Sequence, residues 1–336
     1  MLTEYQIALI DALPNEGGAY YICNGEKIAY PLDAIEEAAR LPLPNKNSRP
    51  DLSGPREKKA IILHGAPGSG KTFAGMQRLE TLVAENPDLA KTFGIVSYDE
   101  HGAMFDIQEY IVALGQIVPD MQEPEKPVSN ATFDAREQLW RDFQPLSQYI
   151  RSQTLKMALK DELNLYIDTT SSGMGTMKLI ELLRDLDYAH IEFWSYHNTL
   201  DASSDRIDNR LRPTSSDDFY KKRVGAYEML PKLVAAADRV SISVNDSNVI
   251  PAREIAVFKA GAFSSGHAYL ASALAIKLSL EQADFHAEYS LRYGEAEAHE
   301  AEVRLELAFD KFQELLLPAI YSRIMDRQVK LDRDLT

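Results

Sequence analysis

From residue 59 onward, apolar positions come in short continuous runs separated by longer stretches where they recur every three or four residues. "AIILHG" predicts a buried strand, "KTFAGMQRLETLVAEN" a helix, and "FGIVSYD" a second strand. After a long polar and helical interval, "NLYIDTT", "TMKLIELLRDLD", "HIEFWSY" and "DRVSISVND" predict strand, helix, strand and strand. Strands buried on both faces need continuous apolar runs. Their alternation with helices therefore predicts an α/β fold with a mostly parallel sheet of about five strands and helices on both faces. "NVIPAREIAVFKAGA" predicts a closing hairpin or edge strand. Beyond Ser264 the spacing turns helical, with Leu305, Phe309, Phe312 and Leu316 recurring at three and four.

The first 40 residues carry a different pattern: an amphipathic helix, then "YYICNGEKIAY", then "LDAIEEAAR". Asn24-Gly25 between apolar-rich arms is the signal of a two-residue hairpin turn. So short a unit cannot bury a core of its own and is expected to pack on the main domain. "LPLPNKNSRPDLSGP" has no periodic apolar face and is dense in Pro, Asn and Ser, which reads as a linker. The predicted organisation is an extension over 1–40, a linker over 41–58, a principal domain over 59–262 and a helical C-terminal segment over 263–336.

Composition narrows the partners. With 336 residues and 45% hydrophobic content the chain can fill a sizeable core. A formal net charge of -15 argues against nucleic acid as a partner, since phosphate backbones attract clustered Lys and Arg. Cys23 is the single cysteine, which excludes an internal disulfide and a Cys-rich zinc site. No targeting or membrane segment is read, and a cytoplasmic location is expected.

The chemistry is densest at "IILHGAPGSGKT". Gly65, Ala66, Pro67, Gly68, Ser69, Gly70, Lys71 and Thr72 satisfy GxxxxGK[ST], with the strand before and the helix after that this pattern requires. Such a loop turns backbone N–H groups toward phosphate oxygens, and the helix start adds a positive dipole end. Lys71 is placed to bridge the β and γ phosphates, and Thr72 to reach a magnesium ion. The implied cofactors are ATP or GTP as phosphate donor, with Mg2+. Asp168 ends an apolar strand where it could orient that metal; Thr169 follows it, not the glutamate that polarises water in many ATP-driven motors.

Asp99 ends the strand after the loop helix, at the edge of the sheet where open α/β folds bind ligands. A carboxylate there could take the proton of an acceptor hydroxyl, with Glu100 and His101 as alternatives. In "DASSDRIDNRLRPTSSDDF", Arg206 and Arg210 share a helical face and Arg212 precedes Pro213. Arginines on such a lid could stabilise transferring phosphoryl charge, and the bland alternative is a surface helix of paired charges. Trp194 and Tyr196 are read as core, with stacking on a base or sugar as the alternative.

This order of motifs, from "GAPGSGKT" through the Asp99 strand, "NLYIDTT", the Arg-bearing helix and "SVNDSN", resembles the zeta-toxin family of P-loop kinases over residues 59 to about 260. The resemblance implies a phosphotransferase acting on a hydroxyl of a small nucleotide-like metabolite, of the UDP-N-acetylglucosamine or NAD type, and an antitoxin as inhibitory protein partner. It maps phosphate and magnesium binding to Lys71 and Thr72, action on the acceptor hydroxyl to Asp99, and lid arginines to Arg206 with Arg210 or Arg212. The chain departs from the family at "IDTTSSGMG", where a glutamate is frequent, and in a short, Asp-rich lid. Two other readings are a nucleotide-dependent sensor that recruits a protein and a kinase of nucleic-acid ends.

Overall fold

The computed structural model describes residues 2–39, 57–90, 93–97, 107–118, 130–208, 216–246 and 251–334. The chain opens with helix α1 (Glu4–Asp11), a hairpin of β1 (Tyr20–Cys23) and β2 (Glu26–Ala29), and helix α2 (Leu32–Ala38). Thr3 starts α1 through a capping box: its hydroxyl accepts from the Gln6 amide N–H while the Gln6 side chain accepts from the Thr3 N–H. Asn24 and Gly25 both have positive φ, 52° and 82°, the geometry a two-residue turn needs to follow the twist of its strands.

Two elements of the principal region receive this extension. After β3 (Lys59–His64), α3 (Lys71–Glu85), α4 (Pro87–Ala90) and β4 (Phe93–Ser97) come α5 (Gln108–Ile117) and the long α6 (Asn130–Lys160). Ile35, Tyr110, Leu114, Phe143, Leu146 and Ile150 form a small core of their own, against which the Tyr21 ring stacks on Phe143 at 4.6 Å. Helix α1 goes elsewhere: Ile10 is buried in the main core, and Gln6 Nε2 donates to Asp187 Oδ2 at 2.8 Å.

The sheet is completed by β5 (Asn164–Asp168), α7 (Gly175–Asp185), β6 (His190–His197), α8 (Leu200–Asp208), α9 (Ser216–Ala236), β7 (Arg239–Val244), β8 (Arg253–Lys259) and β9 (Ala262–Gly266). Strand order is β4-β5-β3-β6-β7-β8-β9. The first five strands are parallel and the last two antiparallel. The hydrophobic pattern predicts about five strands; the parallel part has that number, and the closing hairpin joins the same sheet to make seven. Strand β9, "AFSSG", is exposed at most positions, so it carries little of the apolar signal that marks a strand in sequence.

Alternation along the strands divides the core in two. Ile61, Leu63, Tyr166, Trp194 and Tyr196 face α3, while Ala60, Ile62, Leu165, Ile167, Ile191 and Phe193 face the opposite side. That opposite side is covered by α7, α9 and the C-terminal helices α10 (Ala268–Tyr293) and α11 (Glu295–Asp334). Leu305, Phe309, Phe312 and Leu316 of α11, the residues with helical spacing in the sequence, are all buried there. Phe312 packs 4.8 Å from the His197 ring and Phe309 4.7 Å from Tyr227. No helix among the described residues is long and apolar enough to cross a membrane.

Candidate functional site

The glycine-rich loop sits at the carboxyl end of β3, in the middle of the sheet, between β5 and β6. Three of its glycines are demanded by the backbone: Gly65 has φ 142°, and a Cβ there would lie 2.4 Å from the Tyr196 carbonyl oxygen. Gly68 has φ 78°, and a Cβ there would lie 2.5 Å from the carbonyl oxygen of Ser203. Gly70 has φ 72° and is the N-cap of α3, where a Cβ would meet Asn245 Nδ2 at 2.5 Å. A glycine cap brings no side chain, and α3 has no side-chain cap hydrogen bond. The first N–H groups of this helix are thereby left for an anion.

Around that opening the structure gathers Ser69, Lys71, Thr72, Asp168 and Arg206. Lys71 is only 4% exposed and Asp168 only 2%. Asp168 closes β5, which pairs in parallel with β3 through Ile62 and Ile167, so it stands at the same sheet edge as the loop. The buried hydroxyls of Ser69 and Thr72 have no hydrogen-bond partner among the described residues. Arg206, on α8, donates from Nη1 to the Gly68 carbonyl at 3.3 Å. The loop is tied across to the segment after β5, where the Gly65 N–H donates to the Thr170 carbonyl at 3.2 Å. Asp99, Arg210 and Arg212, with Tyr98, Glu100 and His101, lie outside the described residues. Among the described residues no group of three or more His, Cys, Asp or Glu could hold a metal ion.

Several residues that hold the loop were assigned no such role from the sequence, although Asn245 lies in "SVNDSN" and Ser203 in the Arg-bearing stretch. Asn198 Nδ2 donates to the Gly68 carbonyl at 3.1 Å, and Asn245 Nδ2 donates to the Ser69 carbonyl at 2.8 Å. Behind Asn198, Ser203 donates to its Oδ1 at 2.7 Å. Arg223 on α9 donates both to Ser203 Oγ at 3.0 Å and to the Asn198 carbonyl at 2.8 Å. Glu281 on α10 pairs with Arg223 at 3.4 Å and accepts from the Leu200 N–H at 2.7 Å. A continuous chain of polar contacts thus runs from the C-terminal helices to the glycine-rich loop. Asn198 and Asn245 had a faint signal, since each is a polar residue following directly on an apolar strand. Arg223 and Glu281 had none, being ordinary charges on helices.

Below the loop lies a row of buried polar groups: His64, Ser195 and His197. The chemistry fixes the proton positions. His64 Nε2 is 2.9 Å from the Ala226 carbonyl, which can only accept, so Nε2 carries the proton and Nδ1 accepts from Ser195 Oγ at 2.7 Å. Ser195 Oγ then accepts from His197 Nε2 at 2.6 Å. Burial, with the Lys71 charge adding to it, holds His64 down to about 4, against the opposing hydrogen bond to Ala226. Burial, then His64 and Arg223, holds His197 well below the ordinary histidine range. Both rings are neutral at pH 7.

Trp194 and Tyr196 are both buried, in agreement with the core reading. The Trp194 indole donates to Glu192 Oε1 at 2.7 Å, and the Arg78 guanidinium lies 4.3 Å above its ring.

No protein-family model and no curated protein matches the chain. Among solved structures it is similar to the AvrRxo1-ORF1:-ORF2 complex with ATP, at TM-score 0.43 and 13% identity over 84% of this chain and 87% of that one. It is also similar to a structure from the PezAT chromosomal toxin-antitoxin system of Streptococcus pneumoniae, at TM-score 0.41 and 16% identity over 66% of this chain and 82% of that one.

Proposed function

We propose that the chain is a P-loop kinase that moves the γ phosphate of ATP or GTP to a hydroxyl of a small nucleotide-like metabolite. The observation that carries this reading is the convergence at one sheet edge of an uncapped α3 N-terminus, the buried Lys71 and the buried Asp168. A buried lysine beside a row of backbone N–H groups favours a polyanion, and phosphoryl transfer asks chiefly for such positioning and charge. The catalytic unit is the segment 59–262, and the sequence resemblance adds an acceptor of the UDP-N-acetylglucosamine or NAD type and an antitoxin-like protein partner.

Magnesium fits the donor set. Thr72 Oγ1 is a buried hydroxyl with no hydrogen-bond partner among the described residues, and Asp168 adds a carboxylate, both hard oxygen donors. Bound with the nucleotide, the ion would neutralise charge on the phosphates. In the transfer, the bond from the γ phosphorus to its bridging oxygen breaks as a bond to the acceptor oxygen forms. Asp99 takes the acceptor proton, and Arg206, with Arg210 or Arg212, stabilises the equatorial oxygens.

The test is incubation of the protein with γ-labelled ATP or GTP, magnesium and a metabolite extract, followed by mass analysis. One metabolite is expected to gain a phosphate. Lys71→Ala is expected to lose both nucleotide binding and product, and Asp99→Asn to lose product while binding stays within about threefold. Tight nucleotide binding with no phosphorylated product would overturn the reading in favour of a sensor.

A further inference from the structure

Beside α3, on the side toward β6, β7 and β8, runs a cleft of about 850 Å³ lined by Ala74, Gln77, Arg78, Tyr196, Ser243 and Glu254 among others. Its floor departs from what a buried sheet normally presents. Along β7, Val240 and Ile242 face the main core, while the alternate positions, Ser241 and Ser243, turn buried hydroxyls to the α3 side. Arg78 reaches over this floor, donating to Ser241 Oγ at 2.8 Å and pairing with Glu254 at 3.4 Å. Arg78 satisfies the Ser241 hydroxyl, and Ser243 is the β7 residue that the cleft itself meets.

We propose that this cleft receives the purine base of the donor nucleotide, with Arg78 and Glu254 reading its polar edge and Phe73 standing at its mouth. The proposal rests on the reading that the 65–72 loop holds the donor phosphates. Proximity is the first support: Ala74, which lines the cleft, follows Thr72 by two residues, and Tyr196, which also lines it, has its carbonyl 2.4 Å from where a Cβ on Gly65 would lie, so one end of the cleft adjoins the loop. Reach is the second. Arg78 is seven residues down α3 from Lys71, about 10 Å at helical rise, a span on the scale of a ribose and a base.

Chemistry is the third support. A guanidinium offers only donors, a carboxylate only acceptors and Gln77 both, and a purine edge displays both kinds of group. The Arg78 and Glu254 side chains remain partly exposed, while Ser241, Glu192 and the Trp194 ring hold the guanidinium in place and Arg239 also pairs with Glu254, so both groups are positioned at the cleft before any ligand arrives. Phe73 is 67% exposed and lies one helical turn before Gln77, on the same face of α3. An aromatic ring at that place is available to stack on a base.

Calorimetric titration of the full chain with ATP, GTP, CTP and inorganic tripolyphosphate tests this. At least one purine nucleotide is expected to bind about tenfold or more tighter than CTP and tripolyphosphate. Glu254→Gln and Phe73→Ala should each remove most of that advantage while tripolyphosphate affinity stays within about twofold. Both changes, one isosteric and the other at an exposed position, spare Arg78, whose contacts with Ser241 and Trp194 also support the fold. Equal affinity for all triphosphates, or a purine advantage that both variants leave intact, overturns the proposal while the phosphate site stands. Tripolyphosphate binding that survives Lys71→Ala, or no binding of any of these ligands, overturns both.

Discussion

His64, Ser195 and His197 show how much one residue's setting decides. Their hydrogen bonds are all satisfied with both imidazoles neutral, and no solvent reaches them to hold a charge. Because burial lowers their folded-state pKa below the ordinary 6.5, the unfolded chain takes up more protons as pH falls. Their stabilising contribution is complete above about 6.5 and is lost as pH drops, for His64 toward 4, by up to about 1.4 kcal/mol per pH unit for each ring. Urea midpoints measured at pH 7, 6 and 5 are therefore expected to decline, in a window where ordinary carboxylates stay ionised. A midpoint that is flat over that window would contradict the neutral-histidine assignment. At this scale the glycine-rich loop was fully legible in sequence, because its chemistry is carried by consecutive residues. The amides of Asn198 and Asn245 were not, since they meet loop carbonyls 130 and 176 residues away.

Between elements, the contact chain through α8, α9 and α10 makes the loop depend on helices far along the sequence. Arg223 is almost fully buried and Glu281 is 17% exposed, so removing one partner leaves a charge without its complement in a dry setting. Glu281 is itself pushed up by burial and drawn back down by Arg223, which marks how much the carboxylate relies on that guanidinium. Arg223→Met is expected to cost about 3–5 kcal/mol of stability, read by urea unfolding at pH 7. A loss under about 1 kcal/mol would mean that the pair is incidental and that other contacts hold the Asn198 turn. The parallel strands themselves were readable as apolar runs. Strand β9 was less so, because an edge strand exposed to solvent carries no such run.

For the molecule as a whole, the C-terminal helices are part of the main core and not an appendage lying on it. Phe312 is fully buried and touches His197 and Tyr227, joining α11 to β6 and α9. Phe312→Ala is expected to lower stability by about 3–5 kcal/mol, the usual cost of emptying an aromatic site in a packed interior. Thermal unfolding should remain a single transition, because α10, α11 and the sheet share one set of buried contacts. A variant that melts in two steps, with the helices leaving first, would show that they fold as a separate unit.

By itself the sequence determined the α/β alternation, the Asn24-Gly25 turn, the helical C-terminal segment and the glycine-rich loop between β3 and α3. Each of these is written within a dozen or so neighbouring residues, where periodicity and backbone preference act directly. Only the tertiary structure decided that α1 and the 1–40 hairpin join different cores, and that Asn198, Asn245, Arg223 and Glu281 support the glycine-rich loop. It also decided that Ser241 and Ser243 of β7 face α3, with a cleft beside them. The reason is physical: a hydrogen bond or an ion pair depends on distance in space, and strand order sets that distance without leaving a local mark on the chain.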